Sequence, residues 1–190
     1  MVIAERKPWT ELRPLEGRMV RLRALEPEDE PRLYEWFNDQ EVIATAGGSG
    51  YAKSHAQERE WIEKAKNPNF ERAEFGVVAL VDGELIGTIG LRMTSPENRG
   101  ANLGLTVGDK SRWNQGYGTD AMRVICRFGF EQMNLHRIEL SAYADNRAGI
   151  RVYEKVGFKI EGTLRSHAFY GGRYLDGIVM GLLEDELILD

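Results

Sequence analysis

A glycine-containing turn that leads directly into a helical pattern is the feature that most constrains this chain. It runs from residue 112 to 121 with the sequence Arg-Trp-Asn-Gln-Gly-Tyr-Gly-Thr-Asp-Ala. The first N–H groups of a helix have no partners within the helix and carry a partial positive charge. Glycines allow such a backbone to approach a ligand closely. The segment therefore predicts a site for a phosphate or pyrophosphate group at the start of a helix.

The composition bounds the classes of protein to which the chain can belong. Its 190 residues are 42% hydrophobic and 29% charged, which is typical of one globular domain with a full-sized core. We expect no signal peptide and no membrane partner, since no apolar run approaches the roughly 20 residues that span a bilayer. The single cysteine, Cys126, excludes an intrachain disulfide and favours a reducing, cytoplasmic compartment. A net charge of −5 argues against nucleic-acid binding and is compatible with a cationic amine substrate.

The pattern of apolar residues predicts one mixed α+β sheet without strict βαβ alternation. Residues 1–17 are predicted to form a loose N-terminal arm, because Pro8 and Pro14 interrupt any regular element, and residues 18–190 to form the domain. On the strand at 136–144, Ser141 and Tyr143 are predicted to face away from the apolar side. The predicted strands are 19–25, 75–81, 85–93, 101–107, 136–144, 158–164 and 175–183; one predicted helix begins at residue 27, and the others cover 54–66, 116–134 and 146–156.

The glycine motif also matches a pattern that binds dinucleotides such as NAD. Gly116, Gly118 and Ala121 match the G-x-G-x-x-G/A fingerprint of dinucleotide-binding folds, and Glu139 lies near the spacing of a ribose-binding acid. In those folds the first glycine follows its strand immediately. Here residues 108–115 intervene, and too little chain follows for a second mononucleotide-binding half. A NAD-binding oxidoreductase is therefore disfavoured.

The motifs resemble those of the GNAT superfamily of N-acetyltransferases over residues 20–183. Residues 113–121 resemble its acetyl-CoA pyrophosphate loop, and residues 145–158 resemble the following helix motif, N…Y-x-K-x-G-F. Residues 161–165 and 172–176 resemble the branch typified by ribosomal-protein alanine N-acetyltransferases. The resemblance implies an acyl-CoA N-acyltransferase fold with a bent mixed sheet flanked by helices. It also implies acetyl transfer from acetyl-CoA to a primary amine, with no metal.

The resemblance also implies which residues bind acetyl-CoA. Backbone N–H groups of the loop would bind the pyrophosphate, and the strand would splay near its end so that its free backbone groups pair with pantetheine. Asn146 matches an asparagine that bonds pantetheine, although a plain helix N-cap explains it equally well. Trp113 stands where the family usually has Arg or Gln, and Asn114 stands where it usually has Gly. We therefore expect mainly backbone contacts to phosphate. The implied binding residues are Leu105, Val107, Trp113, Asn114, Gln115, Gly116, Tyr117, Gly118, Thr119 and Asn146.

Tyr153 is the candidate that protonates the departing thiolate, although a packed core tyrosine is the alternative interpretation. A thiol titrates near ~8.5 and a tyrosine near ~10, so this proton transfer is uphill by only about 2 kcal/mol. No general base is assigned, because Asn102 stands where relatives often carry Glu. Ser141, with Tyr143, is instead expected to order a water that relays protons. Glu84, His55 and His167 are unsupported alternatives.

The missing carboxylate at Asn102 favours an acceptor amine of low pKa. At pH 7, deprotonating an α-amine of pKa about 8 costs roughly 1.4 kcal/mol, whereas a lysine-like amine of about 10.4 costs nearly 5 kcal/mol. We therefore expect the acceptor to be the N-terminal α-amine of a protein or peptide. The alternatives are a small amine such as a polyamine, amino acid or aminoglycoside, and a CoA-binding module without turnover. A homodimer would be ordinary.

Overall fold

A mixed sheet of seven strands organises the part of the chain that the structure, a computed structural model, describes: residues 13–48 and 50–190. The strand order is β1-β2-β3-β4-β5-β7-β6, and β4 and β5 are parallel while the other neighbours are antiparallel. The strands are β1 Val20–Arg23, β2 Arg72–Ala79, β3 Leu85–Ser95, β4 Gly100–Val107, β5 Arg137–Tyr143, β6 Lys159–Tyr170 and β7 Arg173–Leu183. The helices are α1 Glu30–Asn38, α2 Gln40–Ala46, α3 His55–Ala65, α4 Tyr117–Glu131 and α5 Arg147–Val156.

Helices cover both faces of the sheet, and each face has its own hydrophobic cluster. On one face α4 and α5 pack against β1, β3, β4 and β5 to form the main core, in which Met122, Ile125 and Cys126 of α4 are fully buried. On the other face α1 and α3 form a smaller cluster around Leu33 and Ile62. This arrangement confirms the predicted fold class. The described helices are all too short or too polar to span a bilayer.

The helix that the sequence predicts from residue 27 is divided into three pieces. A 3₁₀ turn, Pro27–Asp29, precedes α1, and α2 follows after a break at Asp39. The backbone of Asp39 is extended, and its carboxylate accepts hydrogen bonds from the amides of Glu41 and Val42. The residue therefore ends one helix and caps the next. The pattern of apolar residues does not detect this break, because it continues through it.

The predicted last hairpin has the expected turn but a longer first strand. Gly171 and Gly172 both have positive φ, as the two central residues of a tight hairpin turn require. β6 extends to Tyr170, six residues beyond the predicted end at residue 164, through an irregular stretch. At that stretch Ser166 has a φ of 50°, and its amide donates to the Asp176 carboxylate at 2.8 Å. This side-chain contact from β7 stabilises a conformation that the local sequence does not indicate.

Residues 1–12 of the predicted arm lie outside the described part of the chain, so its boundary stays a prediction. The described residues 13–17 lead into β1. Leu15 packs against the main core, and its carbonyl accepts a hydrogen bond from the Leu22 amide at 2.8 Å.

Asp120 in the first turn of α4 holds the start of β1. Its buried carboxylate accepts hydrogen bonds from the amides of Arg18 at 3.2 Å, Met19 at 2.7 Å and Val20 at 3.0 Å. These amides precede or begin an edge strand and have few alternative partners. The carboxylate therefore joins the N-terminal end of α4 to the edge of the sheet across about a hundred residues of sequence.

We expect Asp120→Ala to lower the free energy of unfolding by about 3 kcal/mol, because it leaves one buried and two partly buried N–H groups without an acceptor. Urea denaturation checks this value. The matched control is Asp185→Ala, since Asp185 is exposed and its carboxylate has no hydrogen bond or ion pair to another described residue; it should change stability by less than about 0.5 kcal/mol. Equal effects of the two substitutions would contradict the role given to Asp120.

Candidate active site

The sheet forks between its two parallel strands. β4 and β5 pair only at Gly100–Arg137, Ala101–Ile138 and Asn102–Glu139. Beyond this point β4 stays paired with β3 to Val107, and β5 stays paired with β7 to Tyr143. The facing edges of the two strands are therefore separated, and the backbone groups on these edges have no strand partner. The predicted splay near Leu105 and Val107 is present in the fold.

The N-terminus of α4 presents a run of free amides beside this fork. The helix begins at Tyr117, and its N-cap, Gly116, has a φ of 96° and offers no side-chain cap. Among the described residues, no hydrogen bond joins an amide between Asn114 and Thr119 to the rest of the chain. Free N–H groups and the positive end of a helix together fit a pyrophosphate. The residues present are thus chemically suited to acetyl-CoA.

The side chains of the glycine loop are committed to contacts within the protein. The indole Nε1 of Trp113 donates to the Val107 carbonyl at 2.7 Å, which ties the loop to the end of β4. Arg112 forms an ion pair with Asp82, and its guanidinium lies 5.6 Å from the centre of the Tyr117 ring. These contacts leave the backbone amides of the loop free, and mainly backbone contacts to phosphate stay a prediction.

Asn146 and Gly149 form the N-terminal cap of α5. The Oδ1 atom of Asn146 accepts a hydrogen bond from the Gly149 amide at 3.0 Å, and Nδ2 donates to the Thr45 carbonyl of α2 at 2.9 Å. A Cβ atom at Gly149 would lie 2.7 Å from Nδ2, so glycine is needed for this close approach. The N-cap interpretation is therefore confirmed, and the pantetheine contact of Asn146 stays a prediction.

Tyr153 lies on the same face of the sheet as α4. Its ring packs against the main core, with its centre 6.2 Å from that of Phe158. Burial raises the pKa of Tyr153 above its ordinary value. The phenol therefore keeps its proton at neutral pH, as a proton donor must. The alternative of a core tyrosine and the proposed donor role are compatible with this position.

Two adjoining cavities of about 480 and 360 Å³ lie on the opposite face, over the fork. Both are lined by Ala46 of α2 and by Asn102 and Leu103 of β4. The first cavity, the larger, extends between β2–β4 and helices α1–α3, where Phe37 and Trp61 line it. The second extends towards β5 and β6. Both strands of the fork line the second cavity, β4 through Asn102 and Leu103 and β5 through residues 140–143.

The structure places the predicted polar residues of β5 in the second cavity. Ser141 and Tyr143 line it together with His167 of β6, and the Tyr143 hydroxyl lies 3.5 Å from the Gly48 carbonyl. Ser141 and Asn102 thus share a cavity, whereas Tyr153 lies behind the sheet. His55 contacts Glu30 at 2.7 Å, and Glu84 forms an ion pair with Arg32, so neither lines a cavity.

Glu58 of α3 is a site residue that the sequence analysis missed. It is 4% exposed and lines the first cavity, and its carboxylate has no hydrogen bond or ion pair to any described residue. Burial raises the pKa of Glu58, Lys53 opposes this shift, and Glu30 adds to it. The signal was present: Glu58, Ile62 and Ala65 follow helical spacing, which puts an acid on the apolar stripe of α3.

The other charged groups of the first cavity are largely paired. Glu74 of β2 forms ion pairs with Arg72 at 2.6 Å and with Arg92 at 3.0 Å. Lys53 and Arg92 add positive charge to the same lining. Among the described residues that line this cavity, Glu58 is the carboxylate without an ion pair.

The sequence profile of the acetyltransferase (GNAT) domain family matches residues 19–159 of the chain. The "Uncharacterized N-acetyltransferase p20" of Bacillus licheniformis is 29% identical over 87% of this chain and 93% of its own length. The L-amino acid N-acetyltransferase AaaT of Escherichia coli is 33% identical over 66% of this chain and 76% of its own. The structure of spermidine N-acetyltransferase from Vibrio cholerae in complex with CoA and spermine has a TM-score of 0.80 at 25% identity, over 88% and 97% of the two chains.

The chain therefore belongs to the GNAT acetyltransferase family and is an acetyl-CoA-dependent acyltransferase. Membership of this family excludes the two alternative functions, a NAD-binding oxidoreductase and a CoA-binding module without turnover. The largely antiparallel sheet also lacks the doubly wound arrangement that a NAD-binding domain needs. These relatives do not single out the ribosomal-protein alanine branch, and that finer assignment stays a prediction.

We expect Gly116→Ala to raise the Kd for CoA about tenfold or more. The φ of 96° is strained for alanine, so the free amides of the loop would shift. Gly172→Ala is the matched control, because Gly172 has a φ of 81° and open space around its Cβ position, but lies in the β6–β7 turn. Both variants should lose about 1 kcal/mol of stability. Calorimetric titration with CoA separates them, and equal CoA affinities would contradict the assigned loop.

Proposed function

We propose that the chain transfers the acetyl group of acetyl-CoA to an α-amino group, either of a free amino acid or at the N-terminus of a peptide or protein. One observation carries this proposal. The first cavity holds a single carboxylate without an ion pair, Glu58, in a lining that also contains the cations Lys53 and Arg92. Such a lining suits an acceptor with one ammonium group and nearby carbonyl or carboxylate oxygens.

A polyamine is a poorer match to these charges. It carries several positive charges along an apolar chain, and each needs a negative partner or water. Glu74 is already neutralised by Arg72 and Arg92, so Glu58 is left to bind an ammonium group. Lys53, and the one net positive charge that Arg72 and Arg92 keep after pairing with Glu74, would repel further ammonium groups and attract the carboxylate of an amino acid or the carbonyl groups of a peptide.

The pKa of the acceptor supports the same choice. Asn102 lies at the fork, where both cavities meet, and an amide side chain cannot take a proton. At pH 7 an α-ammonium group loses its proton for roughly 1.4 kcal/mol, and a lysine-like group for nearly 5 kcal/mol. A site with a single carboxylate is thus better matched to the α-amine. The relatives include both an L-amino acid and a spermidine N-acetyltransferase, so the acceptor must be decided by experiment.

The fork explains how the two substrates would meet. The pyrophosphate would lie at the N-terminus of α4, with pantetheine beside the free edge of β4 at Leu105 and Val107. The acceptor amine would enter the cavities on the opposite face. Free backbone N–H groups of the splayed strand can polarise the thioester carbonyl, as the donors of an oxyanion hole do. Ser141 would order a water beside the acceptor in the second cavity.

We expect incubation with acetyl-CoA to release CoA thiol fastest with Ala- or Ser-initiated peptides or with free amino acids. Their kcat/KM at pH 7 should exceed that of spermidine and of Nα-acetyl-lysine at least about tenfold, because less free energy is needed for deprotonation. An aminoglycoside completes the panel. A kcat/KM for spermidine or a lysine side chain equal to or above that of the α-amines would refute the proposed acceptor class.

We expect Tyr153→Phe to lower kcat about 100-fold and to leave the Kd for CoA unchanged, because the variant removes the proton donor and keeps the packing. Tyr174→Phe, an exposed position on β7, is the control and should leave kcat unchanged. Since burial raises the pKa of Tyr153, the donor stays protonated to higher pH than a free tyrosine. The kcat profile of the unaltered enzyme should therefore show no alkaline decline below about pH 10. A Tyr153→Phe enzyme with normal kcat would remove Tyr153 from the mechanism.

A further inference from the structure

The position of Glu58 has no structural explanation. Its backbone amide donates to the Ser54 carbonyl, as the first turn of α3 requires, but its carboxylate contacts no partner among the described residues. It shares the buried stripe of α3 with Ile62 and Ala65, which belong to the smaller hydrophobic cluster. An ionisable group that is buried without a partner disfavours folding, so its presence there indicates a role in binding or catalysis.

The carboxylate of Glu58 is reached from the first cavity. In the described part of the chain, two side-chain polar atoms are fully buried and have no hydrogen-bond partner. They are the Nε atoms of Arg72 and Arg112. The oxygens of Glu58 are not among them although they lack a partner, so they keep some accessible surface, and Glu58 lines the first cavity. A ligand in this cavity can therefore contact them directly.

The groups around Glu58 leave it as the cavity's acceptor for a positive charge. Lys53 and Arg92 are cations, Glu74 is held by two arginines, and Glu30 contacts His55 and lies 3.8 Å from Arg59. Burial raises the pKa of Glu58 towards that of an amine, which makes a proton transfer from ammonium to carboxylate less uphill.

We propose that Glu58 binds the ammonium group of the acceptor in the first cavity and takes the proton that the nitrogen must lose before it attacks the thioester. This inference rests on the proposed acetyl transfer but not on the identity of the acceptor. Glu58 on α3 would thus be the general base, a role that relatives often give to a Glu at the position of Asn102 on β4. Tyr153, which gives a proton, and Glu58, which takes one, then act from opposite faces of the sheet.

The proton balance closes with the groups present. The ammonium gives one proton to the Glu58 carboxylate, and the resulting amine forms a C–N bond to the acetyl carbon. As the C–S bond breaks, Tyr153 gives its proton to the sulfur. The phenolate then takes the second proton from the acylated nitrogen, and Glu58 releases the first to water. The net products are the N-acetyl compound, CoA thiol and one proton.

The test is Glu58→Gln in the full-length protein, assayed with the best acceptor of the panel. We expect kcat/KM at pH 7 to fall about 100-fold with an unchanged Kd for CoA. In the unaltered enzyme log kcat/KM should level off above the raised pKa of Glu58. In the variant it should rise with unit slope to the pKa of the amine, about 8 for an α-amine. Glu58→Asp, which keeps a carboxylate, should retain more activity than Glu58→Gln.

Two controls exclude a structural explanation. Glu60→Gln changes an exposed acid of the same helix, paired with Lys64, and should leave kcat/KM and its pH profile unchanged. An acceptor that is already neutral at pH 7, such as aminoacetonitrile, should be acetylated by the Glu58→Gln variant almost as well as by the unaltered enzyme. A structural defect would lower both reactions equally.

The outcomes separate this inference from the proposed acceptor class. If spermidine is the best acceptor, the α-amine proposal fails, and the Glu58 variants are assayed with spermidine. A Glu58→Gln enzyme with kcat/KM within about threefold of normal and an unaltered acid limb overturns the role of Glu58. The role of Glu58 is also overturned if Glu58→Gln lowers kcat/KM for the neutral amine as much as for the best acceptor.

Discussion

The fork between β4 and β5 is the constraint on which the other features depend. Two parallel strands that stop pairing after Asn102 would normally leave unsatisfied backbone groups within a sheet. Here each strand keeps an antiparallel partner on its outer edge, β3 for β4 and β7 for β5, so both stay in the sheet while their inner edges separate. The free inner edges can pair with an extended ligand. A cofactor with a long amide-containing arm fits such an opening.

The fork also divides the chemistry between the two faces of the sheet. The face with α4 and α5 supplies the free helix N-terminus and the buried phenol of Tyr153. The face with α1–α3 supplies cavities in which, among the described residues, Glu58 is the carboxylate without an ion pair. A positive helix end suits an anion, and a lone carboxylate suits an ammonium group. In the proposed function, these charges would direct the two substrates to opposite faces, and their reacting atoms would meet at the fork.

Much of this could be predicted from short stretches of sequence. The glycine loop, the start of α4 and the N-cap at Asn146 follow from local backbone preferences, and the alternation along β5 correctly separates Ser141 from the core. The bond from Trp113 to the Val107 carbonyl could not be predicted. It depends on how the loop folds back on the preceding strand. The break at Asp39 was missed because apolar spacing does not register a single capping residue within a helical pattern.

The sequence by itself determined the features that neighbouring residues decide: the order of the seven strands, the start of α4 after the glycine loop, and the two motifs that resemble the family to which the chain belongs. Only the tertiary structure decided features that depend on contacts between distant segments. Asp120 meets the amides of β1 about a hundred residues away, and Glu74 pairs with Arg72 and Arg92 while the carboxylate of Glu58 has no ion pair among the described residues. Burial and charge pairing are set by neighbours in space, and no spacing along the chain encodes which neighbours those are.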